Sequence, residues 1–363
     1  MMEMAFPALR GLAPLGCCTR TGASENEIDS TGTPFRVPTL LSDTIAKTCT
    51  SLILVECEME ELPPLIGMYY LLKNLDLSHN KLEEIPPDIG SCYSLTTLDV
   101  SNNQLKTIPE EIVQLLHLHT LKFFSNQIVT LPDTIGSVPL LELNGFNNRI
   151  LKFPETLGKL ETVTHMNFAG NTVMQFTKEY LANWRSVRVL NLYECRIVKL
   201  ASLGHLEQLE ELRLFNNNLE EAPDVGTRLS KLKVVELNKN RITALPLKFF
   251  QGLKALERIV LTQNQITAIP SGIACPKLWS LIISQNHLTE LPPDLPLWPS
   301  LRILFLNANS LTKLPETFLQ NSTLERVNLA RNSKCAAPSK HILEHLKKVT
   351  ANNKGKYWAP DTL

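Results

Sequence analysis

A few short stretches carry residue types that could do chemistry. HILEH (341–345) matches H-x-x-E-H, in which two histidines on one helix face ligate zinc and a glutamate acts as base. A third ligand belongs well downstream, yet only 18 residues follow His345, and a solvated helix face accounts for the same letters. His117 and His119 flank Leu118, so both point away from the core and stand too isolated to bind metal. Asp361-Thr-Leu363 has the apolar last residue and free carboxylate that a PDZ domain captures, a three-residue match that chance also supplies. Asn321-Ser-Thr fits a glycosylation acceptor, which matters only on a secretory route, and Cys17-Cys18 fits palmitoylation. No Walker loop, G-x-S-x-G or Ser/His/Asp spacing occurs, so the expectation is a chain without catalytic residues, metal or cofactor.

Bulk properties narrow the classes further. The 36 basic and 36 acidic side chains cancel, which removes a global electrostatic case for nucleic acid or anionic membrane. No run of 18 apolar residues exists, so no transmembrane segment is expected. The eight cysteines are scattered without CxxC or dense end clusters, which favours a reducing, cytoplasmic setting. MMEMAFPALRGLAPLGCCTR makes a poor signal peptide, because Pro7, Arg10 and Pro14 break its apolar run. Met2 is not the glycine of a myristoylation signal, and no prenylation box ends the chain.

The organising feature is a repeat. L-x-x-L-x-L-x-x-N-x-L fits LKNLDLSHNKL (72–82), LTTLDVSNNQL (95–105) and LHTLKFFSNQI (118–128). Its ninth position runs Cys57, Asn80, Asn103, Asn126, Asn148, Asn171, Cys195, Asn217, Asn240, Asn264, Asn286, Asn309, Asn332, giving thirteen units in steps of 22 to 24 residues. Within L-x-L, alternation at period two sends one side chain inward and the next outward. The ninth-position Asn is expected to cap the turn with hydrogen bonds to backbone groups the strand leaves unpaired, with Cys as its substitute. Proline recurs at one phase of the second half, from Pro86 and Pro109 to Pro292 and Pro315. Lacking an N–H, it should leave that side in irregular turns and short helices. The expected fold is therefore an α/β solenoid: a leucine-rich-repeat horseshoe with a parallel β-sheet on its concave face and irregular turns and short helices on its convex face.

The expected organisation is a disordered leader (1–35), an N-terminal half-repeat cap (36–50), the solenoid (51–335), a C-terminal cap helix (336–351) and a tail (352–363). LLSDTIAKT (40–48) parallels TLPDTIGSV (130–138), hence the half-repeat. PSKHILEHLKKVT (338–350) puts Ile342, Leu343, Leu346 and Val349 on one helical face, as a closing cap requires. Units six and seven replace the proline with Thr177 and Ala201, KEYLANWRS (178–186) reads as more helical, and Gly145 stands where unit five should have a core Leu.

Position seven faces outward from the sheet. Down the array it carries Phe124, Phe146, Tyr193 and Phe215 in units four, five, seven and eight, with Ala169 between the pairs, in a chain only 6% aromatic. Position five adds Lys122 and Arg213 in a polar middle and an apolar end at Val260, Ile282 and Phe305. Position ten adds Arg149, Arg196 and Arg241, with Glu194 at position eight and Glu142 and Glu211 at position three. An aromatic strip framed by charges of both signs has the make-up of an interface core with a polar rim. The same column also admits neighbouring rings that stack on one another, and Phe146 admits an inward turn into the space left at Gly145.

LPDTIG (131–136), IPPDIG (85–90) and LDLSHNKLEEIP (75–86) resemble the intracellular Ras-group leucine-rich-repeat proteins, including Ras-suppressor-like scaffolds and their plant relatives, over roughly residues 38–335. GKYW (355–358) is similar to a short element after the repeats of the plant members. The resemblance implies a cytoplasmic scaffold in small-GTPase or phosphatase signalling. The expected function is thus non-catalytic binding of a protein partner on the concave face. The alternative is a regulatory or targeting subunit of an enzyme such as a protein phosphatase or ubiquitin ligase.

Overall fold

The computed structural model describes residues 26–32, 46–332, 340–353 and 355–358. Among these residues fifteen strands form one parallel sheet in chain order. Thirteen belong to the units, from Ser51–Ile53 to Arg326–Asn328, each three residues long. The middle residue of each, such as Leu75, Leu98 or Leu121, is buried while its neighbours face the hollow. Position-six residues join these leucines in a single continuous apolar core between the sheet and the outer segments.

Asparagine joins one unit to the next. Asn126 Nδ2 donates to the position-six carbonyls of its own unit (Phe123, 3.0 Å) and of the preceding unit (Val100, 3.0 Å). Its Oδ1 accepts the preceding unit's Leu105 N–H at 2.9 Å. Asn103, Asn240 and Asn309 repeat the arrangement. Position eight is left-handed in all thirteen units, with φ near 55–70°, though only Gly170 is a glycine there. A non-glycine residue pays of order 1 kcal/mol for that conformation, which persists where surrounding bonds over-determine it.

Cysteine fills the same place with fewer bonds. Cys195 Sγ donates to the preceding unit's Phe168 carbonyl at 3.1 Å, but a thiol offers no carboxamide oxygen. The next Asn compensates, Asn217 Oδ1 accepting from both Cys195 N (3.1 Å) and Ile197 N (2.8 Å), and Arg196 adopts a second left-handed conformation, φ 63°. Cys57 and Glu58 behave alike beside Asn80. Burial pushes the Cys195 thiol up to about 12, so it is a structural thiol rather than a reactive one.

Proline precedes most of the short outer helices, as at Pro86, Pro109, Pro154 and Pro315. Where it is missing, a second ladder forms: Gln175–Phe176 pairs in parallel with Lys199–Leu200. Ala201, standing where a proline would, uses the restored N–H to bond Phe176 O at 2.8 Å. Lys178–Leu181 is a true α-helical turn, as KEYLANWRS implies.

The ends correct the expectations for leader and tail. Glu27–Asp29, inside the segment expected to be disordered, is the first strand and pairs with Ser51–Ile53. Ile28 joins the core, and Ser30 O accepts Cys57 Sγ–H at 3.0 Å, the bond that position six makes elsewhere. It is a fourteenth rung without leucines, hence invisible to the template. Residues 36–45 of the half-repeat, Cys17-Cys18 and Asp361-Thr-Leu363 lie outside the described residues; Ala46 and Cys49 are buried in the core.

At the other end the helix is Lys340–Asn352, with Ile342, Leu343, Leu346 and Val349 buried. Lys356–Trp358, in the segment read as a tail, then adds a final strand beside Arg326–Asn328. A Cβ on Gly355 would lie 1.5 Å from Glu325 O, which is why glycine opens GKYW. The HILEH histidines dock this cap: His345 Nε2 meets Asn321 O at 2.9 Å and His341 Nε2 meets Glu316 Oε2 at 3.3 Å. Asn321 is itself buried, its Nδ2 donating to Pro296 O at 2.7 Å, so the glycosylation match is a folded-in structural amide.

Asn126→Ala should lower stability by about 3 kcal/mol, since three buried hydrogen bonds of about 1 kcal/mol each disappear. Cys195→Ala, losing one thiol donor, should cost about 1 kcal/mol. Chemical denaturation of both variants checks the order.

Candidate functional site

The sheet's open face presents positions three, five and seven. Phe124, Phe146, Tyr193 and Phe215 all lie on it, each half-buried. Phe146 and Tyr193 sit two rungs apart yet approach to 6.0 Å between ring centroids, closing over Ala169, which is wholly buried. Tyr193 then stacks on Phe215 at 4.3 Å and 7°. Burial, with Glu194 adding to it, holds the Tyr193 phenol above its ordinary range. Phe124 has no ring partner among the described residues. The strip thus covers part of itself, which bears out ring stacking for three of its four members while leaving one side of the strip open.

Phe146 stays in this strip because another ring fills the gap beneath it. A Cβ on Gly145 would lie 2.5 Å from Phe123 Cε2 and 3.0 Å from Phe168 Cδ1. Phe123, Phe153 and Phe168 are buried here with Phe176 and Trp184, and Phe153 meets Phe168 at 4.5 Å. The inward turn considered for Phe146 therefore has no space to enter.

The charged frame divides in two. Arg213 is bound within the sheet: it pairs with Glu211 (2.6 Å) and Glu236 (3.6 Å), donates to Asn191 Oδ1 (3.1 Å), and Glu236 also holds Arg258 (3.2 Å). Arg149, Arg196, Arg241 and Glu194 are exposed and have no ion-pair partner among the described residues. In the apolar patch Val260 is buried, while Ile282 and Phe305 are half-buried on adjacent strands in register. His117 and His119 are exposed, and no group of three metal-ligating side chains occurs among the described residues.

Comparison with known proteins agrees with the repeat. The family models "Leucine-rich repeat region" and "Leucine rich repeat" match residues 52–179 and 230–288. This is a leucine-rich-repeat protein. Its fold is similar to a leucine-rich-repeat protein of Leptospira interrogans, at TM-score 0.73 and 28% identity over 92% of this chain and 89% of that one. An internalin of Listeria monocytogenes shares the fold at TM-score 0.72 and 18% identity, over 89% of each chain. Among curated relatives, lumican of Coturnix japonica is 34% identical over 139 residues, covering 37% of this chain and 39% of its own. Human leucine-rich repeats and immunoglobulin-like domains protein 3 is 27% identical over 156 residues, covering 42% of this chain and 14% of its own. The chain spans less than half the length of either relative.

Sequence reasoning missed one role on this face of the leucine-rich-repeat sheet. At position five, Asp76, Asp99, Asn144 and Asn167 accept the N–H two residues on, at 2.9 to 3.2 Å. These residues hold the position-seven backbone, and their polarity is structural first. Asp or Asn two places before position seven was the available signal.

Gly145→Ala should cost roughly 1–3 kcal/mol by overpacking. Adding Phe123→Leu should recover most of it, as thermal melts of the single and double variants would show.

Proposed function

We propose that this chain is a non-catalytic scaffold that binds a protein partner across the concave face of units four to eight. Leucine-rich-repeat domains generally mediate protein–protein interaction. The observation that carries the reading here is the aromatic column: four rings in one outward column, three in contact, bordered by Arg149, Arg196 and Arg241, which have no ion-pair partner among the described residues. Aromatic and Arg side chains dominate binding hot spots, each worth about 2 kcal/mol or more on truncation. Ile282 and Phe305 supply a second contact patch farther along the same face.

We place the protein in the cytoplasm, in signalling of the small-GTPase type, on the resemblance of LPDTIG, IPPDIG and LDLSHNKLEEIP to the Ras-group proteins. The buried free thiols of Cys49, Cys57, Cys92, Cys195 and Cys275 suit a reducing setting. Among the described residues no helix is long and apolar enough to cross a membrane. The targeting-subunit reading uses a second surface, and the outer side carries a cleft of about 950 Å³ between Val198 and Gln251 that could take a side chain or short loop of an enzyme.

Phe124→Ser with Tyr193→Ser and Phe215→Ser should lose capture of the partner from the protein's own cells by at least about tenfold, with melting lowered by only a few degrees. Quantitative affinity purification and melting curves measure both. Loss of fold without selective loss of a partner contradicts the proposal.

A further inference from the structure

The rim beside the aromatic strip carries cations that have no ion-pair partner among the described residues. At positions eight and ten of units five to nine, the rim carries Arg149, Arg196, Lys239 and Arg241 against one carboxylate, Glu194. The same positions of units one to four carry Glu56, Glu58 and Lys81, those of units ten to twelve hold no Lys, Arg, Asp or Glu, and unit thirteen has Arg331 alone. In a chain whose charges cancel overall, this is a local excess of positive charge on the carboxy-terminal edge of the strands that bear Phe146, Tyr193 and Phe215. Arg213 and Arg258 have their own glutamates; the rim arginines have no ion-pair partner among the described residues.

Their spacing is regular as well. Arg149, Arg196 and Arg241 occupy position ten of units five, seven and nine, two strand spacings or about 9.6 Å apart by rung count along the sheet, with Arg196 on the extra left-handed residue of the Cys195 turn. A β-strand laid along the rim repeats its same-side residues every ~6.8 Å. A polyproline II segment turns once every three residues and advances ~9.3 Å, matching the rim. Arg also presents a planar fork suited to a carboxylate.

Resting on the protein-binding reading above, we propose that the ligand of this face is an acidic polyproline II segment. It carries a carboxylate at every third residue for the three arginines and apolar residues between them for the aromatic strip. Glu194, alone in sign on this rim, repels a carboxylate brought opposite it and so helps to set the register.

The test uses the full chain and fluorescence anisotropy at two salt concentrations. The first probe is a labelled peptide of repeated Glu-Pro-Leu triplets; the second has the same composition with Glu at alternate positions; the third is an oligothymidylate of equal charge. The triplet peptide should bind at least about tenfold more tightly than the other two and weaken with salt, as exposed ion pairs do. The variant combining Arg149→Gln, Arg196→Gln and Arg241→Gln should lose that preference and melt as the parent does. Equal binding of the two peptides, equal binding of the oligonucleotide, or an unaffected triple variant overturns the proposal. If the triple variant still captures the cellular partner and the aromatic variant does not, this inference falls while the protein-binding reading stands.

Discussion

Eleven of the thirteen units depend on one side-chain amide. The position-six carbonyl leaves the strand pairing just as the chain turns outward, and the ninth-position Asn bonds it in two successive units while accepting an N–H from the earlier one. These groups lie in the core, where an unmatched carbonyl or N–H costs about 1–3 kcal/mol. The amide therefore fixes the phase of each unit against the next. With the phase fixed, positions four and six have to be inside and positions three, five and seven outside. The left-handed residue at position eight follows from the same constraint, since the turn must bring the ninth side chain back under its own strand.

What the open face looks like is then decided by packing beneath and beside it. Phe123 fills the room left by Gly145 and so keeps Phe146 on the surface. Ala169 is small enough for Phe146 and Tyr193 to close over it, converting a column of separate rings into a continuous strip. The charges sort by partner: Arg213 pairs with Glu211 and Glu236, whereas the exposed arginines at position ten have no ion-pair partner among the described residues.

Much of this was legible in the residues. A period of 22 to 24 held over thirteen units specifies the strands, the core leucines and the outward column, because the side-chain alternation of a strand leaves no other choice. The cap helix was legible from the spacing of Ile342, Leu346 and Val349. The terminal rungs were not. Ile28 with Ser30 does not match L-x-L, and Tyr357 pairs with Val327 across 30 residues because a 13-residue helix intervenes. Contacts between units were hidden too: that Phe123 would answer Gly145, or that Arg213 would find Glu236, depends on rotamers a repeat template does not encode. Asp76 and Asn144 looked like surface polarity and proved to hold the backbone of the next outward residue.

The central claim is that the phase set by the asparagine ladder turns Phe124, Phe146, Tyr193 and Phe215 toward a partner while Phe123, Phe153 and Phe168 stay within the core. Hydroxyl-radical footprinting read by mass spectrometry, with and without the captured partner, measures this ring by ring. The account predicts that the first four are oxidised in the free chain and protected in the complex, while the other three resist oxidation in both. Oxidation of Phe123 or Phe168 in the free chain, or protection confined to the convex side, would contradict it.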